Sequence, residues 1–218
     1  GFSTGHGYLR QPQDIHSYAA LACIAIQSNQ NDQHGGQSIP NFDYGMAPGV
    51  AKTYIKHYRQ NVIKAVELLT GIEIPEERIK EIIEEIRNKY GLTPSLSRTP
   101  EYMNREKEYL LEIVGDEGIV SKVQNFAAQK AEKETERSTY QAMEAFVHNL
   151  NTMHSRAGAQ IPFSSINYGL DTSPEGRMVI RNVLLATEGA WKWRNPDIPD
   201  SYFPCQGRNK LQRGRAKL

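Results

Sequence analysis

The stretch from Ile119 to Met153 constrains the fold of this chain more than any other. It predicts a single helix about 50 Å long, at about 1.5 Å per residue. Its end is apolar at Met143, Phe146, Val147 and Leu150, while its middle, Lys130 to Thr139, is charged and predicts a solvated segment. Helices this long commonly pack against another helix pair, so an interface between copies of the chain is expected.

Shorter helices are predicted on either side. Asp14 caps one running to about Asn31, with Ile15, Tyr18, Ala19, Ala22 and Ile26 at helical spacing. Leu21, Ile24 and Ala25 make its other face apolar, which predicts burial on most sides. Asn29 to Pro48 reads as a polar, turn-rich loop. A second helix follows from Val50 to about Leu69, striped by Val50, Tyr54, Tyr58, Val62 and Val66 and stopped by Gly71. Pro75 opens a third, with Glu76 and Glu77 where the helix dipole favours acids, and a core face of Ile79, Ile82, Ile83, Ile86 and Tyr90. A fourth runs from Pro100 to Val114. Beyond the long helix, Ser155 to Gln160 is a loop and Ile161 to Tyr168 a strand, with Phe163 and Ser165 on one face and Ser164 and Ile166 on the other. Ser173-Pro174-Glu175 then starts a helix to about Glu188, with Val179, Val183 and Leu184 inward. A strand followed closely by a helix is half of a βαβ unit, so the body reads as α/β with long helices between few strands.

Composition excludes several functions. The chain is 39% hydrophobic and 23% charged, which reads as soluble and globular. No apolar run approaches the ~18 residues of a membrane span, and no leader opens the sequence as written. Cytoplasmic location and no membrane partner are therefore expected. The net charge of +1 attracts no nucleic acid. Two cysteines, Cys23 and Cys205, rule out a disulfide framework and a multi-cysteine zinc site. The charge is uneven: from Gly189 on, seven Lys/Arg face two Asp, which leaves 19 bases against 23 acids in the rest. That tail, with Trp191 and Trp193, has no clean periodicity.

Short motifs taken singly carry little. Gly1-Phe2-Ser3-Thr4-Gly5 fits the hydrolase nucleophile elbow, but no strand precedes it and the next helix waits until Asp14. None of the six histidines forms a metalloprotease motif, and His148 and His154 do not stack on one helix face. Cys23 reads as a small buried residue. Gln33-His34-Gly35-Gly36-Gln37-Ser38 is a candidate ligand loop, because two glycines let backbone N–H groups approach a phosphate.

Three stretches together say more. Ser28 to Ser38 (SNQNDQHGGQS), His148 to Gly158 (HNLNTMHSRAG) and Pro162 to Gly169 (PFSSINYG) resemble the anaerobic, glycyl-radical (class III) ribonucleoside-triphosphate reductases, in order from Gly1 to Glu188. The resemblance implies an α/β fold, part of a ten-stranded α/β barrel with long interface helices. It implies reduction of ribonucleoside triphosphates to 2′-deoxyribonucleotides by glycyl and thiyl radicals. A radical-SAM activating enzyme, a structural zinc, ATP and dNTP effectors and a homodimer come with it. The helices from Ile15 and Val50, with the end of the long helix, would form the dimer interface. Candidate effector- or substrate-binding residues are His34, Gly35, Gly36, Gln37, Ser155, Arg156, Gln160, Ser164, Ser165 and Asn167. No catalytic or metal-binding residue is expected among residues 1–188. The radical residues and zinc cysteines should lie elsewhere, which makes this chain a fragment, inactive alone.

From Gly189 the sequence leaves the family's pattern. With its codons shifted by one base the tail can be read as the family's continuation, so it is expected to be an out-of-frame translation. The rival to a reductase fragment is a non-enzymatic helical dimerisation module.

Overall fold

The computed structural model describes residues 11–32, 35–152 and 163–192. Within them the order is α1 (Ile15–Asp32), β1 (Gln37–Ile39), α2 (Phe42–Thr70), α3 (Glu76–Tyr90), α4 (Pro100–Val114), α5 (Glu117–Thr152), β2 (Ser164–Ile166) and α6 (Pro174–Lys192).

The partial ten-stranded α/β barrel implied by the resemblance is not what these residues form. They make six helices and one parallel sheet of two three-residue strands. Apolar side chains recur at helical spacing along most of the chain, so burial is satisfied helix against helix. Extended backbone is left only where β1 and β2 pair, in the register Gln37↔Ser164, Ser38↔Ser165, Ile39↔Ile166.

α2 and α5 run antiparallel and form the spine. The first half of α2 and the last half of α5 bury Phe42, Met46, Val50, Met143, Phe146 and Leu150 with α1, β2 and α6. Their other halves bury Tyr54, Tyr58, Val62, Val66, Val120, Val123 and Ala127 with α3 and α4. The two clusters therefore share both long helices. The expected stripe of α2 is buried throughout.

Several expectations change. The middle of α5 is not solvated all round. Ala131, Thr135 and Thr139, at four-residue spacing on one side of the helix, are buried, with Thr139 Oγ1 3.8 Å from Met178 Sδ of α6. Of the charged residues of α5, Glu132 pairs with Arg98 (Oε2 to Nη2 2.6 Å) and Glu136 with Arg181 of α6 (Oε1 to Nη1 2.8 Å), while Glu134 Oε2 faces α2 and accepts Asn61 Nδ2–H at 2.7 Å. α1 buries one face only: Ile24 is 43% exposed. Leu184, expected inward, is exposed, and the inward residues of α6 are Val179, Asn182, Val183 and Ala186. Tyr90 is also outside the core, its ring instead flanked by Arg105 Cζ at 4.7 Å and Lys89 Nζ at 5.3 Å.

α2 starts at Phe42, inside the expected loop, and carries Pro48. Phe42 and Met46 extend the four-residue stripe of Val50, and both are buried, which offsets the backbone bond that Pro48 cannot make. Gly49 is needed on this stretch: a Cβ there would stand 2.8 Å from Tyr18 Cδ2. α1 joins α2 through the Ile15 N–H, which donates to Thr53 Oγ1 at 2.9 Å. Its start is capped as expected, by Ser17 N–H donating to Asp14 Oδ1 at 2.9 Å.

Candidate functional site

The short ladder is where the sequence candidates come together. Gly35, at φ +106°, holds a backbone conformation that L side chains rarely adopt, next to the start of β1. A Cβ on Gly36 would lie 3.4 Å from the Phe163 carbonyl oxygen. The Gln37 N–H donates to that carbonyl at 2.7 Å, the Asn167 N–H to Ile39 O at 3.0 Å, and the Phe42 N–H to Asn167 O at 2.8 Å. Hydrogen bonds thus run on past β2 to the first residue of α2.

Alternation sorts the side chains onto two faces. Gln37 and Ser164 are paired and buried on the core face, followed by Ile39 and Ile166. Asn29 Nδ2 donates to Gln37 Oε1, which ties α1 to the ladder. Ser38 and Ser165 are paired on the open face. On β2 the same alternation continues to Phe163, 65% exposed, and to Asn167, also exposed. Two hydroxyls, an amide and a ring edge this face, with the side-chain-free Gly36 opposite Phe163. None of these groups titrates near neutral pH. The face can therefore bind a polar, planar ligand but cannot itself move a proton.

One charged group supports the ladder from beneath. Asp43, in the first turn of α2, is buried. Its Oδ2 accepts the backbone N–H of Gly169 at 2.8 Å, Leu170 at 3.1 Å and Asp171 at 3.0 Å. Burial pushes its pKa up, but backbone N–H groups of Asp171, Gly169, Tyr44 and Asp43 itself outweigh that and hold the carboxyl below its ordinary value.

Of the sequence candidates, Gly35, Gly36, Gln37, Ser164, Ser165 and Asn167 meet at this ladder. His34, Ser155, Arg156 and Gln160 lie outside the described residues, as do the Gly1–Gly5 motif, Cys205 and the segment from 193 on. Sequence reasoning missed Asn29 and Asp43. Asn29 lies inside the quoted loop stretch, and Asp43 two residues after Asn41, at a point read as loop. A buried acid at a helix start is its signal, but only once that start is known. Cys23 behaves as read: it is buried, and burial pushes its thiol up to about 11 despite the Asn149 hydrogen bond, so it is not a thiolate.

No three His, Cys, Asp or Glu side chains come together among the described residues, so the implied structural zinc does not fit there. No described helix is long and apolar enough to cross a membrane.

The ladder presents a neutral, polar-aromatic face on a helical body, and comparison with known proteins identifies an oxidoreductase family. The sequence model of that family, described as anaerobic ribonucleoside-triphosphate reductase, matches residues 1–207. The anaerobic ribonucleoside-triphosphate reductase of Salmonella typhimurium is 21% identical over 184 residues, 84% of this chain and 18% of that protein. That of Enterobacteria phage T4 is 23% identical over 184 residues, 84% of this chain and 21% of that protein. The chain belongs to the anaerobic ribonucleoside-triphosphate reductase family. It spans about a fifth of the length of these relatives. The family match extends past Glu188, where the sequence reading ends the resemblance.

Proposed function

We propose that this chain is the nucleotide-handling part of an anaerobic reductase that converts ribonucleoside triphosphates to 2′-deoxyribonucleoside triphosphates. The observation that carries the reading is the open face of the ladder, on which Ser38, Ser165, Asn167 and Phe163 stand together within a family match over residues 1–207. Serine hydroxyls and an asparagine amide suit the hydroxyls of a ribose or the edge of a base. An exposed phenyl ring suits the face of either. The radical chemistry would be supplied by the rest of the longer protein: a glycyl radical installed by a radical-SAM enzyme, and a thiyl cysteine. Cys23, buried and protonated, has no part in it. The chain alone would bind nucleotide and reduce none.

Equilibrium dialysis of the 218-residue chain against ATP and dATP tests this. Binding in the micromolar to millimolar range is expected, weakened at least fivefold by Ser165→Ala or Asn167→Ala. Dimerisation in sedimentation with no nucleotide bound would favour the rival dimerisation module. In a complete reductase, Arg156→Ala is expected to flatten the effector dependence of substrate choice while leaving thermal stability unchanged. Sequencing the coding DNA across Glu188 tests the out-of-frame origin proposed for the tail; an intact frame overturns it.

A further inference from the structure

We infer that Asp43 is a positioning residue for the ligand face of the ladder. This rests on the nucleotide reading above, but its geometry stands separately. One carboxylate oxygen, Oδ2, gathers three consecutive backbone N–H groups, those of Gly169, Leu170 and Asp171, at 2.8 to 3.1 Å. The segment it grips begins two residues after Asn167. Gly169 takes φ +108°, a conformation that L side chains rarely adopt, so the chain turns there. Asn167 is itself fixed by backbone on both sides. Its N–H donates to Ile39 O at 3.0 Å, and its carbonyl accepts the Phe42 N–H at 2.8 Å. Phe42 is the residue before Asp43. The start of α2 therefore holds the Asn167 backbone at Phe42 and the turn beyond it at Asp43.

The choice of a carboxylate is informative. Burying a charge is costly unless its oxygens are well bonded. Here Oδ2 takes all three loop bonds, while Oδ1 is buried with no hydrogen-bond partner. Three donors converging on one oxygen fix the direction of the loop, because a bond to an ionised acceptor is stronger than one to a neutral group. Past the loop, Ser173 N–H donates to Asp171 Oδ1 at 2.8 Å and Gly176 N–H to Ser173 Oγ at 3.0 Å, which passes the hold on to the start of α6. The bonds of Asp43 go to the backbone of the 169–171 turn rather than to the open-face side chains. Its effect on a ligand would come through the orientation of the Asn167 amide.

Two measurements on the 218-residue chain test this, with Asp43→Ala and the milder Asp43→Asn. The first is amide hydrogen exchange. The amides of Gly169, Leu170 and Asp171 should exchange about tenfold or more faster in Asp43→Ala, and less so in Asp43→Asn, with α5 protection unchanged. The second is the dissociation constant for ATP. A loss of about tenfold in Asp43→Ala is expected, partly restored in Asp43→Asn. Adding Asp43→Ala to Asn167→Ala should cost little beyond Asn167→Ala alone, since both act through one amide. Unchanged loop exchange in both variants overturns the clamp. Faster exchange with wild-type ATP affinity leaves Asp43 a structural residue and overturns the positioning role. A parent chain that binds no ATP overturns the nucleotide reading itself, and with it that role, whatever the exchange rates show.

Discussion

Glu106 is the residue whose chemistry departs furthest from what its sequence position announces. On α4 it would pass for one more solvated acid, yet it is 1% exposed. Its carboxyl accepts Tyr58 Oη–H at 2.5 Å, Tyr102 Oη–H at 2.9 Å and Gln124 Nε2–H at 2.8 Å. Burial raises its pKa, and the bonds from Tyr58, Gln124 and Tyr102 pull it only part of the way back. A folded pKa above the unfolded value means stability present below about pH 4.5 and lost as pH rises through the raised value. Glu106→Gln abolishes that loss. Chemical denaturation of both proteins across pH 4 to 9 should show the parent falling relative to the variant by up to about 1.4 kcal/mol per pH unit between the two pKa values. A constant difference would mean that folding leaves the pKa of Glu106 unshifted. Glu106→Leu should cost about 2–4 kcal/mol near pH 4.5 and less as pH rises, because it strands the buried Tyr102 hydroxyl and leaves Tyr58 and Gln124 only their Met103 partners. None of this is legible in sequence, since Tyr58, Tyr102, Glu106 and Gln124 come from three helices whose packing no local pattern specifies. Cys23 was legible, because a small residue on the apolar stripe of a helix is buried wherever that helix packs.

At the scale of elements, legibility followed the strength of local signals. α4 has the bounds that Pro100 and Gly115 mark, and α3 is framed as expected by Pro75 and Gly91. α2 was read eight residues short because Pro48 and two glycines outweighed Phe42 and Met46 locally. The stripe these two extend is rewarded only by tertiary burial. β1 was missed within the loop, as three residues carry no periodicity and its partner lies 127 positions on, at Ser164. The α2–α5 seam was half legible: the stripe of α2 and the apolar end of α5 at Met143 to Leu150 were read, but Val120, Val123 and Ala127 at its start and the small central residues among the charges were not. That seam is tight, so Ala131→Leu should destabilise by about 1–3 kcal/mol through overpacking, measured as a fall in thermal midpoint with helix content kept. His57 sits on the same seam, with Nε2 3.2 Å from Ser138 Oγ and Nδ1 3.6 Å from Glu134 Oε2. Burial lowers its pKa against the pull of Glu134. A depressed histidine pKa contributes stability above about pH 6.5 that is lost as pH falls through the folded value. His57→Gln should therefore lose less stability than the parent between pH 7.5 and pH 5. Parallel losses would show that folding leaves the pKa of the ring unshifted.

For the molecule as a whole, the resemblance identified the family but misled on architecture. It carried over a barrel, whereas the residues described here were helical on their own periodicity, apart from two short strands. What the described residues do have is two cores threaded by the same pair of helices. The core made with α3 and α4 comes from one continuous stretch, from the second half of α2 to the first half of α5. The other gathers α1, β2 and α6 from both ends of the chain around the remaining halves. Separate cores invite separate unfolding, but breaking either one would leave half of α2 and half of α5 with an apolar face in water. Helices of 29 and 36 residues, each continuous through both cores, oppose that division. A single cooperative transition is expected. Ile82→Ala in one core and Val179→Ala in the other should each lower its midpoint, by about 2–5 and 1–3 kcal/mol respectively. The two costs should add to within about 0.5 kcal/mol in the double variant, since the sites lie in different cores. Circular dichroism at 222 nm followed against urea reads this directly. If Val179→Ala instead splits the curve in two, with the α3–α4 core surviving the first step, the spine does not couple the cores, and the open face of the ladder rests on a lobe that can open by itself.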